Sequence, residues 1–185
     1  MLAIALGLLS LPPSTASAAQ SQPLLVDDNP ANFTPHVLDG EVFAIAEAGN
    51  KIILGGSFTQ AQNNGSATVL TRNHILAFNK TTGVIDTTFI PNASAPIRSI
   101  VTAPDGQSVY VGGEFNTIGG ATRFKVARIN VTTGAPVAGF NAGLIDALAY
   151  DIELVNNRLF VGGQFTTVDG QPRGGLVELD PTTGE

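Results

Sequence analysis

The chain has 185 residues, 43% of them hydrophobic, with 9 basic and 15 acidic side chains, a net charge of −6, 21 Gly, 11 Pro and no Cys. That much apolar material builds a folded domain and excludes a disordered tail. Without Cys there is no disulfide framework, zinc finger, iron–sulfur cluster or thiol nucleophile. An acidic chain also lacks the clustered Lys and Arg that neutralise phosphates, so nucleic acid is not an expected partner.

Leu2 to Leu11 is apolar apart from Gly7 and Ser10, and it runs through Pro12-Pro13 to Ala16-Ser17-Ala18. An apolar core of that length before a small-x-small site is what signal peptidase reads. It is too short to span a bilayer, which takes about 20 residues. The reading is a signal peptide over residues 1–18, lacking the usual basic lead, then a polar linker over 19–32. The expected location is secreted or extracellular.

Three copies of one unit follow. Ile53 to Thr59, Tyr110 to Asn116 and Phe160 to Thr166 each read as two apolar residues, Gly-Gly, a polar residue and Phe. A second motif, Thr-Thr-Gly, ends at Gly83, Gly134 and Gly184, which are 28, 22 and 22 residues after the first Gly of each pair. The first copy therefore carries an insertion, placed between Gln60 and Arg72. Phe89 and Phe140 recur six residues beyond the Thr-Thr-Gly motif, and Phe33 begins the array. Copies of about 33–89, 90–140 and 141–185 result.

Within a copy, short apolar and β-branched runs alternate with turn clusters and never reach helical length. First strands are expected at 42–46, 97–102 and 148–154. Turns at Gly49-Asn50, Asp105-Gly106 and Asn156-Asn157 lead to second strands that end on the Gly pairs. Third strands are expected at 75–78, 126–129 and 176–179, each closing on an Asx-type turn at Asn79, Asn130 or Asp180. A short fourth strand is expected at 137–140. The fold class is all-β, with antiparallel three- to four-stranded blades of a β-propeller-like repeat, since repeats of about 40 to 50 residues with four short strands are propeller blades. The Gly pair is expected to permit close backbone approach or a bulge, and the Phe after it to fill the gap between blades. Closed propellers use about four to eight blades, and the last copy stops at Glu185 before its Phe. The expectation is an incomplete array of about three blades, with more blades or fused modules C-terminal and homotypic assembly as the alternative.

In its order of strand, Gly-Gly-x-Phe, Arg-led strand, Asx turn with Gly, and Phe, the stretch from Phe33 to Glu185 resembles the delta-60 repeats of exported bacterial proteins. That resemblance implies a propeller-like fold and no general enzymatic activity. The chain departs from the common form in its Thr-Thr-Gly turns and in its first-copy insertion. Similarity to kelch-type propellers rests on the paired glycines alone.

Arg72, Arg123 and Arg173 each stand seven residues before the Asx position and are the charged residues repeated in register. Guanidinium forks at one height could grip carboxylates or phosphates; the structural reading, preferred here, is that each ties loops together. His36 and His74 fall at different phases, and no nucleophile, base and orienting group converge, so no catalytic residue is assigned. Asp27-Asp28, Asp146, Asp151 and Glu153 show no calcium-loop spacing, so no metal or cofactor is expected. Asn32, Asn64, Asn79, Asn92 and Asn130 begin Asn-x-Ser/Thr triplets, glycan acceptors only in a eukaryotic secretory route. The 60–72 insertion is the candidate contact surface. The leading functional reading is a secreted, non-catalytic module that binds a cell-surface polymer or protein. The alternatives are an exported carbohydrate-active enzyme whose catalytic residues lie in missing blades, and a spacer.

Overall fold

The computed structural model describes residues 32–185; the expected signal peptide and all of the linker but Asn32 lie outside them. The first repeat holds β1 (His36–Val37), β2 (Val42–Ala48), β3 (Lys51–Gly56), β4 (Gln60–Gln62), β5 (Val69–Thr71) and β6 (Ile75–Asn79). The second holds β7 (Ile97–Thr102), β8 (Ser108–Gly113), β9 (Thr117–Ile118), β10 (Ala121–Thr122) and β11 (Val126–Asn130). The third holds β12 (Ala149–Val155), β13 (Arg158–Gly163), β14 (Thr167–Val168), β15 (Gln171–Pro172) and β16 (Leu176–Leu179). No helix among the described residues is long and apolar enough to cross a membrane.

Each repeat forms one antiparallel sheet in simple meander order, β2-β3-β6, β7-β8-β11 and β12-β13-β16. The first strands β2, β7 and β12 stand side by side, whereas the third strands of neighbouring blades are not in comparable contact. The sheets therefore fan out from a shared inner edge, as propeller blades do. Bonds between first strands hold that edge: Thr102 Oγ1 donates to the Glu47 carbonyl at 2.7 Å and Ser99 Oγ to Asp151 Oδ1 at 2.8 Å.

The expected fourth strand is reduced to single bridges, Phe78 to Ile85 and Ile129 to Pro136. Pro136 has no N–H to extend a ladder, and the chain then turns inward to bury Phe140, as it does for Phe89 in the first repeat. A feature invisible in the strand pattern lies between the second and third strands, where each repeat inserts a small hairpin, β4-β5, β9-β10 or β14-β15.

The two glycines of each pair have different tasks. The second sits opposite a bulge in the first strand, where register shifts between Val42 and Ala44, Ile97 and Ser99, and Ala149 and Asp151. A Cβ at Gly56, Gly113 or Gly163 would collide with the carbonyl of Glu41, Pro96 or Leu148 respectively. The first glycine faces the next blade: a Cβ at Gly55 would lie 2.5 Å from Ile97 Cγ2, and one at Gly112 2.8 Å from Ile152 Cδ1. We call this the forward face of a blade and the opposite one its rear face.

Apolar side chains alternate across each sheet, so every blade is apolar on both faces and the core lies between blades. Ile53, Ile75 and Ala77 on the first blade's forward face meet Val109, Val111 and Ile129 on the second's rear face. Tyr110 and Val126 meet Leu159, Val161 and Leu179 in the same way. Phe58, Phe115 and Phe165, two positions after the Gly pairs, are all buried and occupy the rear side of their own blades.

Candidate functional site

The repeated arginines lie at the exit of each small hairpin. Their backbone N–H groups donate to the carbonyls of Thr59, Asn116 and Thr166, closing the hairpin base at 2.8 to 2.9 Å. Each guanidinium then folds back, and Nη1 donates to the preceding carbonyl: Arg72 to Thr71 at 2.7 Å, Arg123 to Thr122 at 2.8 Å, Arg173 to Pro172 at 2.9 Å. Arg72 is buried, reaches the Asp86 carbonyl, and is depressed in pKa by that burial. Arg123 is half-buried and Arg173 exposed. The Nε groups of Arg72 and Arg123 are buried without a partner.

Two residues after each Arg the backbone takes positive φ, at His74 (67°), Lys125 (67°) and Gly175 (74°). That conformation aims the His74, Lys125 and Gly175 carbonyls at the N–H groups of Gly56, Gly113 and Gly163. Gly175 was the one sequence signal for it, since His and Lys rarely adopt it. Burial lowers the His74 pKa, and its Nδ1 is buried without a partner; His36 Nε2 lies 3.3 Å from Asn64 Oδ1.

A second recurrent position escaped the sequence because its residue type changes. Asp39, Ser94 and Asp146 stand three residues before the first strands. Asp39 accepts from Thr59 N and Oγ1 and Gln60 N, Ser94 Oγ from Asn116 N and Thr117 N, and Asp146 from Thr166 N and Oγ1 and Thr167 N. Donation from Thr166 Oγ1, then from the Thr167 and Thr166 backbones, pulls Asp146 down to about 2, and Asp39 is lowered likewise, chiefly by Thr59. Such carboxylates are occupied in pinning the hairpin to its blade. Asp151 accepts from Ser99, and no group of three or more His, Asp or Glu able to hold a metal forms among the described residues.

The inner edge carries another set that the sequence hid. The bulge residues Phe43, Arg98 and Tyr150 occupy equivalent places; the Arg98 guanidinium lies 4.4 Å from the Phe43 ring centre and pairs with Glu114. Bulges of this kind re-aim a side chain off the sheet.

The insertion enlarges the first hairpin. Residues 63–68 join β4 and β5, where two residues, Gly119-Gly120 and Asp169-Gly170, suffice in the later repeats. Asn63 Oδ1 accepts from the Ile85 N–H at 2.7 Å, fixing the loop against the Asn79–Val84 turn. Asn64 Nδ2 bonds the Asn32 carbonyl. Two grooves flank that turn: one of 180 Å³ lined by Asn32, Phe33, Asn63, Asn64, Thr82 and Val84, and one of 350 Å³ lined by Asn50, Lys51, Asn79, Thr82 and Asp86 among others. Amides and hydroxyls dominate, and Phe33 adds a half-exposed ring. Of the five sequon asparagines, Asn79 and Asn130 are Asx-turn acceptors for the two following Thr N–H groups, at 2.9 and 3.0 Å in each case. Asn92 has φ 42° and accepts from Asn73 N, while Asn32 and Asn64 line the smaller groove.

Residues 103–134 and 156–184 match the family model described as a domain of unknown function (DUF5122) beta-propeller. These segments fall on the second and third sheets with their Thr-Thr-Gly turns. The chain is a β-propeller repeat protein. Its fold is similar to the crystal structure of the computationally designed Ika4 protein, at TM-score 0.51 and 13% identity over 80% of this chain and 70% of that one. It is also similar to the computationally designed Ika8 protein, at TM-score 0.50 and 13% identity, where the match covers 78% of this propeller chain and 34% of that one. No curated protein matches it.

Proposed function

We propose that this propeller repeat protein is a non-catalytic binding module that acts outside the cell and holds a hydroxyl-rich surface polymer in the grooves beside its enlarged first hairpin. The observation that carries the reading is the groove lining: Asn32, Asn63, Asn64 and Thr82 offer amide and hydroxyl groups that both donate and accept, next to the Phe33 ring. Paired donor and acceptor groups match sugar hydroxyls, and an aromatic face suits the apolar face of a sugar ring. A rigid scaffold with one irregular loop is where binding is commonly placed. The export reading rests on the apolar leader and on the resemblance to delta-60 repeats of exported bacterial proteins.

A carbohydrate-active enzyme needs one carboxyl raised in pKa to act as acid. Among the described residues the carboxylates most displaced, Asp86 and Asp146, are lowered to about 2 by the donors that hold them in place, while the enzyme alternative places its catalytic carboxyls in other blades. The test is a glycan array and a polysaccharide pull-down with the full chain, beside Phe33→Ala and Asn64→Ala. Retention of a polymer that both variants lose supports the reading. Retention of none, or release of reducing ends from a bound polymer, refutes it.

A further inference from the structure

The second blade is flanked by a blade on each side, so the surroundings of its small hairpin do not depend on where the chain ends. Positions in register collect positive charge there. The pinning acid of the other repeats, Asp39 and Asp146, is Ser94. The positive-φ residue, His74 in the first repeat and Gly175 in the third, is Lys125. Asp86, whose charge acts on Arg72, has Val137 as its counterpart. Glu114, whose charge acts on His74 from the next blade, has Gln164 as its counterpart beyond Lys125. Lys51, Lys80, Arg98, Arg128 and Arg158 each pair with a carboxylate. Among the described residues Arg123 and Lys125 pair with none, and the Glu114 carboxylate beside them is taken by Arg98. Both are anchored on Asn116: the Arg123 N–H donates to its carbonyl at 2.9 Å and Lys125 Nζ to its Oδ1 at 2.7 Å. Lys125 Nζ also meets the Glu114 carbonyl at 3.0 Å, which leaves one of its three protons. Arg123 Nη1 meets the Thr122 carbonyl, and its Nε is buried without a partner.

We propose that this hairpin, through Arg123 and Lys125, is a carboxylate-binding contact that takes the acid group of an acidic sugar, so that the polymer held by the chain carries uronate residues. The inference rests on the reading of the chain as a polymer-binding module and names the class of polymer. A guanidinium and an ammonium meet one carboxylate with charge-assisted bonds. A net charge of −6 repels a densely sulfated or phosphorylated chain, so a single negative charge per sugar is the better match. Asn116, Thr117 and Thr122 are exposed and supply amide and hydroxyl groups for the sugar hydroxyls next to the acid. The hairpin holds on the second blade the place that the enlarged one holds on the first, so one extended polymer can touch both.

The test is affinity electrophoresis of the full chain against polygalacturonate and against the same polymer after its carboxyls are reduced to alcohols. Polygalacturonate should bind about tenfold more tightly than the reduced polymer at low salt, and that preference should shrink as salt is raised. Ser94→Asp and Lys125→Gly bring to this hairpin the residues that the third repeat already carries at Asp146 and Gly175, so both keep the fold. Each should weaken binding of polygalacturonate by about tenfold and leave binding of the reduced polymer unchanged. Equal affinity for the two polymers overturns this inference and leaves the polymer-binding reading standing. Binding of neither overturns it too, and the glycan array with Phe33→Ala and Asn64→Ala then decides the broader reading by itself. Tighter binding of dextran sulfate, or equally tight binding of polyglutamate, overturns the uronate as the group recognised. So does an affinity for polygalacturonate that neither variant changes.

Discussion

The two junctions between blades are built on the same backbone and filled with different chemistry. Between the first and second blades, Ile53, Ile75 and Ala77 meet aliphatic partners, and Lys51 crosses to the Val131 carbonyl at 2.7 Å while pairing with Asp86 at 2.6 Å. Between the second and third, Tyr110 replaces Ile53 and Arg128 replaces Ala77. The Tyr110 hydroxyl donates to the Pro181 carbonyl at 2.6 Å, its ring tilts against Phe140, and Arg128 lies over it and bonds Asp105. Lys51 and Arg128 start from different strands and reach the equivalent turn carbonyl. The lesson is that the repeat constrains where backbones approach and where polar groups must end, and leaves open which side chains do the filling.

The glycine that faces the next blade separates the two junctions most strongly. At Gly55 a Cβ would meet the β-branched stem of Ile97, whose Cγ2 and Cβ lie 2.5 and 3.0 Å away. At Gly112 it would meet the far end of the Ile152 side chain, Cδ1 at 2.8 Å and Cγ1 at 2.9 Å. Overpacking costs about 1–3 kcal/mol, so Gly55→Ala should lose about 3 kcal/mol and Gly112→Ala about 1 kcal/mol in urea unfolding. Equal losses would show that Ile97 yields as readily as Ile152.

Acid should act next most strongly, through the first junction. Burial alone would raise the Asp86 pKa, but donors from Lys51 and Thr88 outweigh it and hold the carboxyl at about 2, against an ordinary 3.8. A depressed folded-state pKa gives stability that is complete above pH 4 and drains away as pH falls towards 2. The shift corresponds to about 2 kcal/mol. Asp86→Asn should therefore be less stable than the parent at pH 6 and approach it at pH 2, although Asp39, Asp105, Asp146 and Asp180 are lowered too and give both proteins a shared acid limb. A gap that stays constant with pH would remove the ion pair from the comparison. The smallest effect is expected from Tyr110→Phe, which deletes one buried hydrogen bond worth about 1 kcal/mol and should show as a slightly lower urea midpoint with no pH dependence.

The parts legible in the sequence were those where physics demands one residue type. Gly-Gly is required by a carbonyl on one side and a neighbouring blade on the other, Phe by the wedge between sheets, and Asn or Asp with Thr-Thr-Gly by the turn. The first, second and third strands of each sheet followed from these landmarks to within two residues, and the expected fourth did not form. The small hairpins were not legible, because strands of two or three residues leave no periodicity. Nor was the pinning position, since a Ser hydroxyl at 94 and Asp carboxylates at 39 and 146 accept equivalent backbone donors. The bulge residues Phe43, Arg98 and Tyr150 share a location without sharing chemistry, which no register search detects. His74 and Lys125 adopt a strained conformation that only Gly175 advertised. The candidate grooves were half visible: the break in period marked the loop, while Phe33 and Asn32 came to it through the fold.

Each sheet also closes on strands that are near neighbours in sequence, and every blade brings one forward and one rear surface of its own. A gene encoding such a chain can therefore gain or lose an internal unit of about 50 residues by unequal recombination while keeping the same backbone rule at every junction. The newcomer meets both neighbours with the same backbone geometry, and only the side chains that fill the junction must adjust. Blade number becomes a quantity that drifts easily, while the loops added to individual blades, such as residues 63–68, can diversify one at a time.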